Sequence, residues 1–270
     1  MGRIESIEIT TLTQFIEHLD KPTGFNTGDS STNTLYRGQE QDWPLEPTLF
    51  RKLRKQGSLS YEGVEVEMME HFQKQAMPML NIIPKFDIDW LALAQHHGLP
   101  TRLLDWTLNP LVALFFAVQD LVIKFEDKDE IEQKGVSVVW AARFLEEINN
   151  RERTEKLTLG LANTNEYIHC IYYPPHISPR ITAQQGCFTA FAIPNWTALN
   201  GQEFVPLQDY RAAGRPDVIS LRKFIIPSNN RASIKHDLAK IGIDAFSIFP
   251  DLEGLCEKLV WKLSTIKQGN

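Results

Sequence analysis

The chain has 270 residues, 43% of them hydrophobic and 23% charged, with a formal net charge of −6. That is enough apolar material for a sizeable core in one large domain or two small ones, and the acidic balance disfavours non-specific binding to nucleic acid or to an anionic membrane, though not a local basic groove. The three cysteines, Cys170, Cys187 and Cys256, are too scattered for a disulfide framework or a CxxC metal knuckle, and read as reduced, buried thiols of a cytoplasmic protein.

The opening "MGRIES" places Gly2 and Ser6 as the loose N-myristoylation pattern does, but so short a pattern matches often by chance and the stretch reads as a plain exposed start. No charged segment leads into an apolar one, so no secretory signal is expected. No apolar run reaches about 18 residues, so no membrane-spanning helix is expected either. "TTLTQFIEHLDK" carries Leu12, Phe15, Ile16 and Leu19 at helical spacing, with threonines to cap it. Pro22 to Asn33 is rich in turn formers and reads as a loop. "TLYRG" is a short strand ending at Gly38. "EVEMMEHFQKQAMPML" is a helix with Val66, Met69, Phe72, Gln73 and Ala76 along one side.

"DWLALAQHHG" is a second helix, stopped by Gly98. "TRLLDWT" reads as a buried strand. Asn109 and Pro110 open the next helix as cap and first residue, and "LVALFFAVQDL" is apolar nearly all round, hence interior. "KFEDKDEIEQK" is a solvated charged loop. "GVSVVWAA", "EYIHCIYY", "GCFTAFAI" and "LRKFIIP" are strands by their Val, Ile, Tyr and Phe content. "RASIKHDLAKIG" is a helix, "DAFSIF" a strand and "DLEGLCEKLVWKL" a closing helix. With neither internal repeat nor long linker, the order predicts one α+β domain, with N-terminal helices packed on a mostly antiparallel central sheet. The segments divide into an N-terminal helix and loop over 1–33, the main domain over 34–262 and a tail over 263–270.

Three stretches carry chemistry. In "LYRGQ", Arg37 ends a strand beside Gly38, so its fork of donors can meet a phosphate or carboxylate, or simply a surface acid. In "HHGLPTRLLDWT", helical spacing puts His97 on the buried stripe of Trp90, Leu93 and Ala94, and turns His96 elsewhere. Strand alternation sends Thr101, Leu103, Asp105 and Thr107 to one side and Arg102, Leu104 and Trp106 to the other. A buried Asp105 needs a partner, and Arg37 or Arg102 is at hand, whether for structure or function. In "RITAQQGCFTAF", Gly186 marks a bulge or a close approach within a strand, beside Gln185, which can donate and accept but is no strong base. GxGxxG, GxxxxGK[ST], HExxH and GxSxG are all absent. The histidines offer weak support for a metal, so none is expected.

"LYRGQ", "LALAQHHGLPTRLLDWTLNPLVALFFAV", "RITAQQGCF", "KFIIP" and "GIDAFSIFPDLEGL" resemble the FRG domain family of bacteria and phages, from about Thr34 to Leu259. Tyr36 stands where the family's eponymous Phe-Arg-Gly motif has Phe. Positions that match are Arg37, Gly38, His97, Gly98, Thr101, Arg102, Leu104, Asp105, Asn109, Pro110, Gln185, Gly186 and Phe188. The resemblance implies one cleft built from three segments, with the apolar helix after Asn109 as its floor. The order of the motifs is also similar to that of ADP-ribosyltransferases: a strand with Arg, a hydroxyl-bearing strand leading into a helix, then a strand that usually carries Glu. That similarity implies an ADP-ribosyltransferase-like core and NAD as co-substrate. Arg37 would hold its phosphates or ribose and Thr107 would orient the nicotinamide ribose. Gln185 would stand in the place of the Glu, with His97 or Asp105 as base. Tyr36, Gly38, Thr101, Arg102, Trp106, Gly186 and Phe188 complete the implied nucleotide site. Three readings follow: an NAD-using effector of a bacterial toxin or anti-phage system acting on a protein or nucleic acid, a non-catalytic nucleotide or nucleic-acid sensor, and a metal-independent hydrolase or nuclease using His97 and Asp105. None involves a membrane.

Overall fold

A computed structural model describes residues 4–19, 34–56, 61–119, 135–144, 169–174, 179–191, 206–209 and 218–266. The loop expected over 22–33, the charged loop over 124–134 and the myristoylation glycine lie outside them. The fold is α+β. Strands β1 (Glu5–Glu8), β2 (Leu35–Gln39), β3 (Leu103–Thr107), β4 (Ser137–Phe144), β5 (His169–Tyr172), β6 (Gly186–Phe191) and β7 (Val218–Ile226) form one sheet in the order β1-β7-β4-β2-β3-β6-β5. Its ladders are antiparallel except for β1 on β7. Helices are α1 (Leu12–Leu19), α2 (Thr48–Gln56), α3 (Tyr61–Ala76), α4 (Asp87–His96), α5 (Pro110–Val118), α6 (Pro179–Gln184), α7 (Arg231–Lys240), α8 (Ala245–Ile248) and α9 (Leu252–Ile266). Among the described residues, no helix is long and apolar enough to cross a membrane.

Both faces of the sheet are buried, as period-two alternation along β4 shows. Val138, Trp140, Ala142 and Phe144 join Leu104, Trp106 and Phe191 on one face. Val139 and Ala141 turn the other way, into a core made with α1, α5, α7 and α8. α4 covers β3, β5 and β6 through Ile88, Leu91 and Ala92 against Leu103, Phe188 and Tyr172. Tyr36 pairs with both Thr107 and Ala141, so these three residues share a face, and α4 and α5 lie on that same face. α5 comes close because β2 carries Gly38. A Cβ there would lie 1.8 Å from the Ala113 carbonyl oxygen, so only glycine lets this helix seat on the strand. α5 starts as its sequence requires, with Asn109 accepting from the Leu111 amide at 3.0 Å.

Several elements depart from the sequence reading. β1 and α2 carry weak local patterns and were not expected. β1 adds to the sheet edge and α1 buries Leu12 and Phe15 in the main core. α9 likewise runs past residue 262. "RITAQQGCFTAF" is not one strand: α6 ends at Gln184, Gln185 takes a positive φ of 46°, and β6 begins at Gly186. "DAFSIF" is a short helix, because Asp244 and Ser247 cap each other's backbone as a capping box. On α3 Met69, Phe72 and Ala76 pack inward as expected and the buried Glu65 joins them, while Val66 is exposed. Cys187 is buried as expected, but Cys256 is exposed.

Candidate functional site

The ladder between β2 and β3 holds at Tyr36 and Thr107 alone, whereas β2 pairs with β4 and β3 with β6 over five positions each. The sheet opens beyond that pair, and Arg37 fills the opening. Its Nη1 donates to the Asp105 main-chain oxygen at 2.8 Å and meets Asp105 Oδ2 at 3.4 Å. A side chain thus takes the place of a missing strand donor. A cavity of about 350 Å³ lies at this split, in the size range of small-molecule sites. Tyr36, Arg37, Gly38, Asp105, Trp106, Thr107, Gly186 and Phe188 are the expected site residues that line it.

Burial holds the Arg37 guanidinium below its ordinary pKa, and Asp105 offsets part of that effect. Its Nε is buried without a partner among the described residues. Asp105 is not buried: its side chain is 54% exposed, against 18% for Arg37. The carboxylate therefore faces the cavity as a solvated group. Behind it runs a polar chain. The Leu103 amide donates to Thr101 Oγ1 at 3.2 Å, Thr101 Oγ1 donates to Gln95 Oε1 at 2.7 Å, and Gln95 Nε2 donates to Asp105 Oδ2 at 3.0 Å. Thr101 is fully buried and outside the cavity, where it orients Gln95 rather than a ligand.

Of the other expected site residues, some stand outside the cavity and some line it with their side chains engaged elsewhere. Arg102 is buried in an ion pair with Glu65, which in addition accepts from the Arg102 amide at 2.9 Å. It ties α3 to the start of β3 and does not reach the cavity. The Trp106 indole donates to Thr189 Oγ1 at 3.0 Å on the opposite face, so what it offers the cavity is backbone. The Thr107 hydroxyl donates to the Gln184 carbonyl at 2.6 Å and accepts from the Asn109 amide at 3.0 Å, which joins β3 to the turn before β6. Gln185 is exposed and Gln184 lines the cavity in its stead. His97 is exposed outside the cavity, and His96 lines it. α4 is buried all round from Ile88 to Ala94, so it has no single stripe from which to extrapolate to His97.

Burial, then the charges of His97 and Arg180, lower the His96 pKa, with Asp105 opposing them. The imidazole is therefore neutral at pH 7, a group able to accept a proton. Arg180 of α6 is the cation that sequence reasoning missed. It lines the cavity with its Nε on Asp251 Oδ2 at 2.7 Å, its Nη2 on Glu253 Oε2 at 2.9 Å, and its guanidinium 5.2 Å from the Phe249 ring centre. The bond to Asp251 raises the Arg180 pKa and holds the Asp251 carboxyl below its ordinary value. The available signal was that Arg180 opens the "RITAQQG" stretch while "FPDLEG" supplies a ring and two acids. Among the described residues, no cluster of three or more His, Cys, Asp and Glu is placed to hold a metal.

The model of the FRG domain matches residues 32–124 of this chain. The chain carries an FRG domain. The match spans β2 to α5, and so contains Arg37, Gln95, His96, Asp105 and Thr107. The FRG domain's cavity is closed from outside the match by Arg180, Gln184, Gly186, Phe188 and Phe249. No curated protein and no solved structure matches the chain.

Proposed function

We propose that the cavity binds NAD and that the protein is an ADP-ribosyltransferase-like enzyme acting on a protein or nucleic acid, as a bacterial toxin or anti-phage effector. The reading is carried by the opening of the sheet at β2 and β3, where Arg37 and Asp105 meet. β2, β3 and β6, the strands that hold the three motifs, lie side by side in that order. Arg37 is suited to a phosphate: it is preorganised by Asp105, and its Nε is buried and unpartnered. The co-substrate supplies a glycosidic bond between ribose C1′ and the nicotinamide nitrogen, which breaks with nicotinamide departing as the neutral leaving group. The Asp105 carboxylate, held by Gln95 and Arg37, stabilises positive charge developing on the ribose. The acceptor nucleophile bonds to ribose C1′ in place of nicotinamide, and neutral His96 accepts the proton it loses.

The second reading, nucleotide binding without transfer, is favoured by β6. No carboxylate of that strand enters the cavity, and the Gln184 amide lies 3.5 Å from the Ile248 carbonyl rather than free in the site. A hydrolase built on His97 and Asp105 lacks its histidine, because His97 stands outside. Calorimetric titration with NAD, together with assay of nicotinamide release in the presence of cell lysate, separates the first two. The transferase reading expects binding and release, both abolished by Arg37→Ala in a protein that still folds. Binding without release leaves the sensor. No NAD binding by folded wild type removes the transferase.

A further inference from the structure

The cavity holds a second cation whose arrangement the reading above does not use. Arg180 and Phe249 lie outside the FRG match, yet both line the cavity with Arg37 and Asp105. Arg180 is fixed along one edge of its guanidinium. Nε is bonded to Asp251, which also caps α9 by accepting from the Gly254 amide at 3.0 Å, and Nη2 is bonded to Glu253. Nη1 has no hydrogen bond among the described residues. A guanidinium used only to tie α6 to α9 has no need to border a cavity. This one is about one-third exposed there, and its charge reaches His96 across the site. The ring of Phe249 beneath it leaves an apolar and cationic surface together. With Arg37, the lining carries two guanidiniums against one carboxylate, Asp105. A single phosphate satisfies one fork; a second preorganised fork calls for a second anionic group.

We propose that Arg180 is a second anion-holding residue of the cavity, which selects a ligand carrying two phosphoryl groups over one carrying a single phosphate. The inference deepens the nucleotide reading and rests on it for the ligand class, but not on any transfer. Asp251, just before α9, serves as the preorganiser: its bond to Nε holds the guanidinium in place before the ligand arrives, so little side-chain entropy is lost on binding, while the exposed Glu253 carboxylate competes with the ligand for the same cation.

The test titrates the full chain with ADP-ribose, NAD and nicotinamide mononucleotide, which carries one phosphate. Wild type is expected to bind the two diphosphates at least tenfold more tightly than the mononucleotide. Arg180→Met should erase that preference and leave mononucleotide affinity within about twofold. Glu253→Gln, at an exposed position, is the companion variant should Arg180→Met fail to fold. It keeps Arg180 and removes a competing negative charge, so diphosphate affinity should rise roughly twofold, in line with exposed ion pairs. Equal affinities of wild type for one and two phosphates, an unchanged preference in Arg180→Met, or weaker diphosphate binding in Glu253→Gln overturns the assignment. Arg180-dependent binding of ADP-ribose without nicotinamide release from NAD would leave Arg180 in place and remove the transferase. NAD turnover unaffected by Arg180→Met would do the reverse.

Discussion

Glu65→Gln removes one charge from the most deeply buried ion pair described in the fold. The Glu65 side chain is 2% exposed and that of Arg102 8%. The neutral amide keeps the shape and takes the Glu65 charge away from the Arg102 guanidinium in a site water does not reach. Breaking a buried pair from one side costs about 3–5 kcal/mol. The native state of a domain is stable by about 5–15 kcal/mol, so this is a large fraction of the whole. At about 2–4 °C per kcal/mol for a chain of this size, the melting temperature should fall by about 6–20 °C. Thermal and urea melts followed by far-ultraviolet circular dichroism measure it. The pair need not add net stability of its own, since two apolar residues can fill the same space. Glu65→Met combined with Arg102→Met should therefore recover most of the loss. A cost under about 1 kcal/mol for Glu65→Gln would mean that Arg102 reaches water, and the structural role given to it would fall.

Asp105→Ala should cost less than about 1 kcal/mol of stability, because the carboxylate is more than half exposed, and under the proposed function it should also abolish nicotinamide release from NAD; a melt lowered as far as that of Glu65→Gln would contradict the exposed position. Gly38→Ala should cost about 3 kcal/mol or prevent folding, since its Cβ collides with the Ala113 carbonyl of α5. Gly186→Ala, whose Cβ meets nothing closer than 4.0 Å, should leave the melt nearly unchanged, and parallel melts of the two glycine variants compare them. His96 binds its proton in the unfolded chain near its ordinary value of 6.5 and in the native state only at lower pH. Its contribution to stability is therefore present above pH 6.5 and lost as pH falls from there through the native value. His96→Gln should flatten that part of the curve of stability against pH, and an identical slope in wild type and variant would place His96 in bulk solvent.

The α+β class, the central helix and strand motifs and the resemblance to the FRG domain were legible in the sequence, because they rest on local signals. Asn109 and Pro110 start α5 through one side-chain cap and one fixed dihedral, and eight apolar residues out of the nine from Pro110 to Val118 leave it no place but the interior. Gly98 ends α4 with a φ of 87° that other residues rarely adopt. Strand alternation from Thr101 to Thr107 correctly put Asp105 and Thr107 on one side. What a sequence cannot carry is which partner each group meets. Arg37 and Arg102 were equal candidates for Asp105, and the choice depended on α3 delivering Glu65 to Arg102 and on the opening between β2 and β3 that admits Arg37. That Gly38 lines the cavity and at the same time lets α5 seat on β2 depends on where that helix packs. The exchange of His97 for His96, and of Gln185 for Gln184, is a difference of one residue at a helix end. There the periodicity that assigns faces stops, and only the packed turn decides which side chain enters the cavity. Arg180 entered the site through contacts 71 and 73 residues away in the chain, at Asp251 and Glu253, a separation no local pattern encodes.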